Sequence, residues 1–124
     1  MYYPTHLLYT KDHEWIKLDG EFAFIGISDF AQKELGDIVF LDIPSLNTVV
    51  ENEAVFGTVE AVKTVSDLFM PLAGKVIEVN TLLEKSPELV NKDPYGSWII
   101  KVQVNLPIDT THLLSAEQYT NLVQ

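Results

Sequence analysis

A lysine set in a run of valines is the residue of this sequence best placed for chemistry. Lys63 has Val59, Val62 and Val65 around it. The β-forming pattern breaks there, so the chain is expected to reverse and to lift the amine to a hairpin apex. On a four-carbon stem the ammonium reaches solvent, where a modifying enzyme can approach it. The ordinary alternative is a solvated charge that blunts an exposed turn. A primary ammonium must lose a proton before it is acylated, so recognition of the hairpin, more than reactivity of the amine, would limit modification. Other reactive side chains are sparse. Cysteine is absent, which removes disulfides, thiolate nucleophiles and sulfur-ligated metals together and leaves any redox chemistry to a borrowed group. The three histidines are His6, His13 and His112; without clustered partners they predict no metal site. No Ser–His–acid grouping, HExxH, P-loop or GxGxxG pattern argues for an enzyme.

The elements that must hold Lys63 read as short strands between turn residues. Residues 54–62 and 64–70 form the arms of its hairpin, with Pro71 and Gly74 as breaks before a strand over 74–79. Further strands are expected over 14–17 and 21–27, around a turn at Asp19 and Gly20, over 37–43, ended by Pro44, and over 98–104. This spacing predicts a sandwich or small barrel. Helices are few. Ser28 caps one that carries Phe30, Ala31 and Leu35 and stops at Gly36; Thr81 and Glu84 form a capping box for one ended by Pro87. At the C-terminus Ser115 and Gln118 form a second box with Leu114 and Tyr119 as its staple, and Tyr119, Leu122 and Val123 share a face expected to pack on the body. GDIVF at 36–40 echoes GKVIEV at 74–79, which suggests two similar halves packed face to face.

Composition bounds the function classes. With 124 residues, 47% hydrophobic, the chain suits one domain over residues 1–124 and can bury a real core. Eight basic residues, all lysine, oppose eighteen acidic ones for a net charge of -10. Without arginine, and with a field that repels phosphate, neither a nucleic acid nor an anionic membrane surface is an expected partner. The N-terminus lacks an apolar signal core and no apolar run approaches a membrane span, so a cytoplasmic protein is expected.

Several separated segments carry a family resemblance: YTKDHEW (9–15), IGISDFAQKELGDIVF (25–40), VEAVKTVSD (59–67), PLAGKVIEVN (71–80) and LVNKDPYG (89–96) followed by Trp98. In this order they resemble the H protein of the glycine cleavage system. The resemblance implies a mainly β fold, a lipoyl-domain-like barrel-sandwich hybrid of two antiparallel sheets with a few short peripheral helices. It implies lipoate in amide linkage to Lys63, and recognition by the lipoate-attaching enzyme through Glu60 and Gly74, for which a solvated strand residue and a tight-turn glycine are the plain alternatives. The expected protein is a monomeric, non-catalytic carrier of the bacterial cytoplasm in glycine catabolism and one-carbon metabolism. It would take an aminomethyl group from a pyridoxal-phosphate glycine decarboxylase to a folate-dependent aminomethyltransferase, with reoxidation by dihydrolipoyl dehydrogenase. Glu14 and Asp67 match family positions that line the cleft where the loaded arm docks, and two carboxylates there would hold an ammonium through charge-assisted hydrogen bonds.

The sequence departs from the family pattern in two places. The loop between Tyr95 and Trp98 is one residue shorter than usual, and Ala61 replaces a common serine. Other swinging-arm domains fit less well. Biotin carriers place methionine beside the lysine and lipoyl domains of 2-oxoacid dehydrogenases place aspartate before it, whereas Val62 and Thr64 flank Lys63. A related carrier that relays lipoyl groups to other proteins shares the same motifs and stays open as an alternative.

Overall fold

Gly20, at φ 62°, turns the chain between β2 (Glu14–Asp19) and β3 (Phe22–Ile27), which pair in register from Glu14 opposite Ile27 to Asp19 opposite Phe22. The computed structural model describes residues 1–124. After β1 (Leu8–Tyr9), β2 and β3 come α1 (Asp29–Leu35), β4 (Ile38–Asp42), β5 (Val49–Val50), β6 (Val55–Ala61), β7 (Val65–Phe69), β8 (Gly74–Val79), α2 (Leu82–Lys85), α3 (Leu89–Lys92), β9 (Ile100–Val104) and α4 (Ala116–Val123). A six-stranded sheet runs β1-β2-β3-β9-β8-β5, a three-stranded one β4-β6-β7, and every pairing is antiparallel. The sandwich of two antiparallel sheets with short helices is the architecture the sequence implied.

Alternation along the strands turns one face of each sheet inward. Ile25, Val76, Ile100 and Val102 from the larger sheet meet Phe56, Val59 and Leu68 from the smaller in a core of 21 buried residues. Each side chain of this size contributes roughly 1.5–3 kcal/mol by leaving water. A second cluster of Leu7, Tyr9, Trp15, Ala116 and Tyr119 lies under α4. There the Tyr9 and Tyr119 rings stack 4.8 Å apart, and the Ser115–Gln118 capping box forms as expected.

Several local expectations change. Leu122 is exposed, so α4 packs through Ala116, Tyr119 and Val123. Thr81 makes no capping bond; the Asn80 carboxamide oxygen accepts from Leu82 N–H instead. The two echoing segments lie in sheets of unequal size, GDIVF running into an outer strand and GKVIEV into an interior one, so there are no two similar halves. In the shortened loop Gly96 N–H donates to Asp93 Oδ1 and Ser97 Oγ to the Leu89 carbonyl, which closes it without the missing residue.

One polar chain joins the C-terminal helix to the rest. Ala31 N–H donates to Ser28 Oγ at 3.1 Å, Ser28 Oγ lies 2.7 Å from Tyr119 Oη, and Tyr119 Oη lies 2.8 Å from His13 Nδ1. Ser28, which caps α1 as expected, thereby ties α1 and α4 to the turn that leads into β2. Burial holds the His13 imidazole below its ordinary pKa, so it stays neutral and can accept from Tyr119. Tyr119→Phe keeps the stacked ring but deprives the buried Ser28 and the half-buried His13 of a partner; it is expected to lose about 1–3 kcal/mol in urea unfolding at neutral pH.

Candidate functional site

Strands β6 and β7 form the hairpin that ends in Lys63. Glu60 pairs with Val65, and Ala61 N–H donates to the Thr64 carbonyl at 2.8 Å across the turn. Neither Val62 nor Lys63 has positive φ, so this is not one of the primed turns that two-residue hairpins favour. Support arrives from outside the hairpin, where Val62 N–H donates to the Asp37 carbonyl at 3.0 Å. Lys63 is exposed and makes no ion pair. Its stem passes Gly36, where a Cβ would stand 3.4 Å from Lys63 Cε. Gly36 sits at φ 76°, ψ -155°, a region essentially reserved for glycine. The lysine at a hairpin apex is thus where the valine pattern put it, while its contact with Gly36 was not visible in the sequence.

Glu60 belongs to the outer face of the three-stranded sheet. Phe40, Glu60 and Val65 are cross-strand neighbours in one row, and Asp42, Thr58 and Asp67 in another. Phe40 and Val65 are 48% and 62% exposed, so Glu60 stands between two apolar side chains that face solvent near the tip. A bulge between Ile38 and Phe40 breaks the alternation of β4, which is why sequence reading missed Phe40. Gly74 lies elsewhere, buried in β8 between Val50 and Val104. A Cβ there would meet the Gln103 carbonyl oxygen at 2.5 Å, so Gly74 serves close strand packing and not a tight turn.

Glu14 is only 1% exposed. The turn before it is built by Thr10, whose hydroxyl accepts from Asp12 N–H and Glu14 N–H and donates to Glu14 Oε1 at 2.9 Å. Phe69 N–H of β7 donates to Glu14 Oε2 at 3.1 Å. Both carboxylate oxygens are thus engaged by donors, yet no cation accompanies them. Burial pushes the Glu14 carboxyl up to about 8, against the Phe69 and Thr10 bonds that pull it down. The side chain lines a cavity of about 210 Å³ together with Asp12, Glu53, Met70, Pro71, His112 and Lys11, whose ammonium pairs with Glu53 at 4.0 Å. Asp67 lies two residues back along β7, exposed and outside this cavity. The two acids share a strand edge without converging on one enclosed space.

A β-sandwich that holds an exposed amine on a braced hairpin tip has the form of a carrier domain of the swinging-arm class. The glycine cleavage H-protein family model matches residues 7–124. The glycine cleavage system H protein of Bacteroides fragilis is 53% identical over 124 residues, covering 99% of this chain and 98% of that protein. That of Pelodictyon phaeoclathratiforme is 57% identical over 122 residues, covering 96% and 95%. The crystal structure of the Mycobacterium marinum glycine cleavage system H protein superposes with TM-score 0.87 at 36% identity, covering 96% and 97% of the two chains. The chain belongs to the glycine cleavage H-protein family. Its part in the glycine cleavage system is that of a carrier subunit and not of a catalyst. No helix is long and apolar enough to cross a membrane.

Two measurements check this geometry. Gly36→Ala forces a Cβ into a backbone region it disfavours and is expected to destabilise by about 1–3 kcal/mol in urea unfolding. For Glu14, a folded-state value raised from 4.5 to about 8 means that the folded protein binds the extra proton. Its contribution to stability is complete below about pH 4.5 and is lost as pH rises through about 8. Glu14→Gln breaks one hydrogen bond at every pH, so the difference in unfolding free energy between the wild type and this variant should move in the variant's favour by a few kcal/mol, in order of magnitude, across that window.

Proposed function

We propose that lipoate is joined in amide linkage to Lys63 Nζ, and that the chain acts as one carrier domain over residues 1–124. The observation that supports this most is the single unpaired amine at the tip of a hairpin whose flanking backbone is hydrogen-bonded on both sides. Attached there, the group would supply a dithiolane whose disulfide can accept the aminomethyl carbon of glycine, the electron pair coming from the carbon–carbon bond broken as carbon dioxide leaves. The chain's residues do the rest. The Lys63 stem, resting against Gly36, sets the direction in which the arm leaves the surface. The rigid tip keeps the end of the arm at high effective concentration near any active site that the hairpin engages. Without cysteine, no protein thiol competes with the arm in disulfide exchange.

In this reading Glu60 contacts the lipoate-attaching enzyme directly, from between Phe40 and Val65. Gly74 contributes indirectly, by letting β8 pack tightly on β9. The loaded arm ends in an ammonium, a cation with N–H donors. Glu14, a buried carboxyl held by Thr10 and Phe69 and lacking a counter-ion, takes on the complementary charge when the ammonium arrives, and Asp67 of β7, the strand whose Phe69 N–H holds Glu14, supplies a second acid. The partners are glycine decarboxylase, aminomethyltransferase, dihydrolipoyl dehydrogenase and the lipoate-attaching enzyme. The setting in this reading is a cytoplasm, that of a bacterium as for the bacterial organisms of the relatives, with the chain as a monomer.

Intact-mass measurement of protein from lipoate-replete cells should show a lipoyl increment in the wild type and none in Lys63→Arg; an unmodified wild type refutes the attachment site. Glu14→Gln combined with Asp67→Asn should speed hydrolysis of the aminomethyl-loaded form by about ten-fold or more, the loss of one charge-assisted contact. An unchanged hydrolysis rate removes both acids from that role.

A further inference from the structure

We propose that Asn91 is a positioning residue for the lysine hairpin, gripping the backbone on both sides of Asp37 with one carboxamide and so aiming the Asp37 carbonyl at Val62 N–H. Asn91 belongs to a sequence motif, LVNKDPYG, for which the carrier reading provides no task. In the structure its Nδ2 donates to the Gly36 carbonyl at 2.8 Å and to Gln32 Oε1 at 3.0 Å, while its Oδ1 accepts from Ile38 N–H at 2.9 Å.

The chain bends at Asp37, and there Gly36 C=O and Ile38 N–H both meet Asn91 while the Asp37 C=O between them meets Val62 N–H. By taking the first two at once, Asn91 acts as a neighbouring strand would, and it leaves the Asp37 carbonyl facing Val62. That residue precedes Lys63, in a turn that lacks the positive φ values of a self-sufficient hairpin. The same grip fixes Gly36, on which the Lys63 stem lies. Asn91 is itself well anchored. It lies in α3, next to the fully buried Val90. The bonded chain thus runs from α3 through Asn91, Gly36 and Asp37 to the tip.

Asn91 also satisfies the Gly36 carbonyl at the end of α1, a merely structural service, so the test must read the tip itself. Full-length unlipoylated protein is compared as wild type, Asn91→Leu, Asn91→Asp and Ser97→Ala. Leucine keeps the volume and removes all three bonds; aspartate keeps the acceptor for Ile38 N–H and loses both donors. Ser97→Ala removes one bond to the Leu89 carbonyl without touching Asn91, Gln32 or residues 36–38, and so controls for general destabilisation. Amide exchange by NMR should rise about ten-fold at Val62 in both Asn91 variants, the loss of roughly one hydrogen bond, with Val59 in the middle of β6 little changed. kcat/KM for lipoate attachment at Lys63, followed by intact mass with the attaching enzyme, should fall about ten-fold, whereas Ser97→Ala retains wild-type values in both measurements. If either quantity stays at the wild-type level in the Asn91 variants, or if Ser97→Ala reproduces their behaviour, the proposal is overturned. Should Asn91→Leu not fold, Asn91→Asp decides alone. The proposal rests on Lys63 as the attachment site, but the two fail separately: an unmodified wild type removes the site, while equal modification of wild type and Asn91 variants removes only the positioning role.

Discussion

The packing of Phe56, Val59 and Leu68 against Ile25, Val76, Ile100 and Val102 is the contact on which the rest of the molecule depends. It joins a six-stranded sheet to a three-stranded one, and it takes out of water the apolar face that the smaller sheet would otherwise expose. Because β6 and β7 belong to that smaller sheet, the hairpin that carries Lys63 takes its rigidity from the core at one end. At the other end it passes beyond the sheet, where apolar burial no longer acts. Val62 is 76% exposed, so only directional bonds can hold the tip. The connection from Asp37 to Val62 and the rest of the lysine stem on Gly36 meet that need at the corner where α1 turns into β4.

The acids of this protein fall into two physical classes. Most are solvated and give the molecule its charge of -10, a field that favours encounter with basic rims on larger enzymes. Glu14 differs because it is buried with two donors and no cation. A carboxyl in that position is costly to ionise alone and becomes easy to ionise when a cation arrives. Binding an ammonium at this place would therefore be coupled to release of a proton. The chain of Tyr119, Ser28 and His13 holds the backbone next to it, since His13 immediately precedes Glu14.

Much of this was legible because the signals were local. The valines around Lys63 mark the two arms of its hairpin, Ser28 caps α1, and the Ser115–Gln118 box starts α4. Strands β1 and β5, of two residues each, were not legible, because a pair of residues has no periodicity and becomes a strand only when a partner lies beside it. Leu122 and Thr81 misled for a related reason. A helix of eight residues can turn its apolar face by a fraction of a turn to suit what it covers, and a cap can be supplied by a neighbouring residue such as Asn80. Gly74 looked like a turn glycine between Pro71 and a strand; the close approach of β9, remote in sequence, gives it a different purpose.

By itself, the sequence determined that this is a small acidic β protein without thiol chemistry, that one lysine stands at an exposed reversal, and through its motifs that it resembles the H-protein family. These follow from residue types and from spacings of a few positions, where side-chain alternation and turn preference act. Only the tertiary structure decided that Glu14 is buried without a counter-ion, that Asp67 stays outside the cavity, that Phe40 and Val65 flank Glu60, and that Asn91 lies against Gly36 and Ile38. Each of these depends on bringing together segments tens of residues apart. The burial that shifts a carboxyl and the geometry that lets one amide hold two backbone groups exist only once the two sheets have closed.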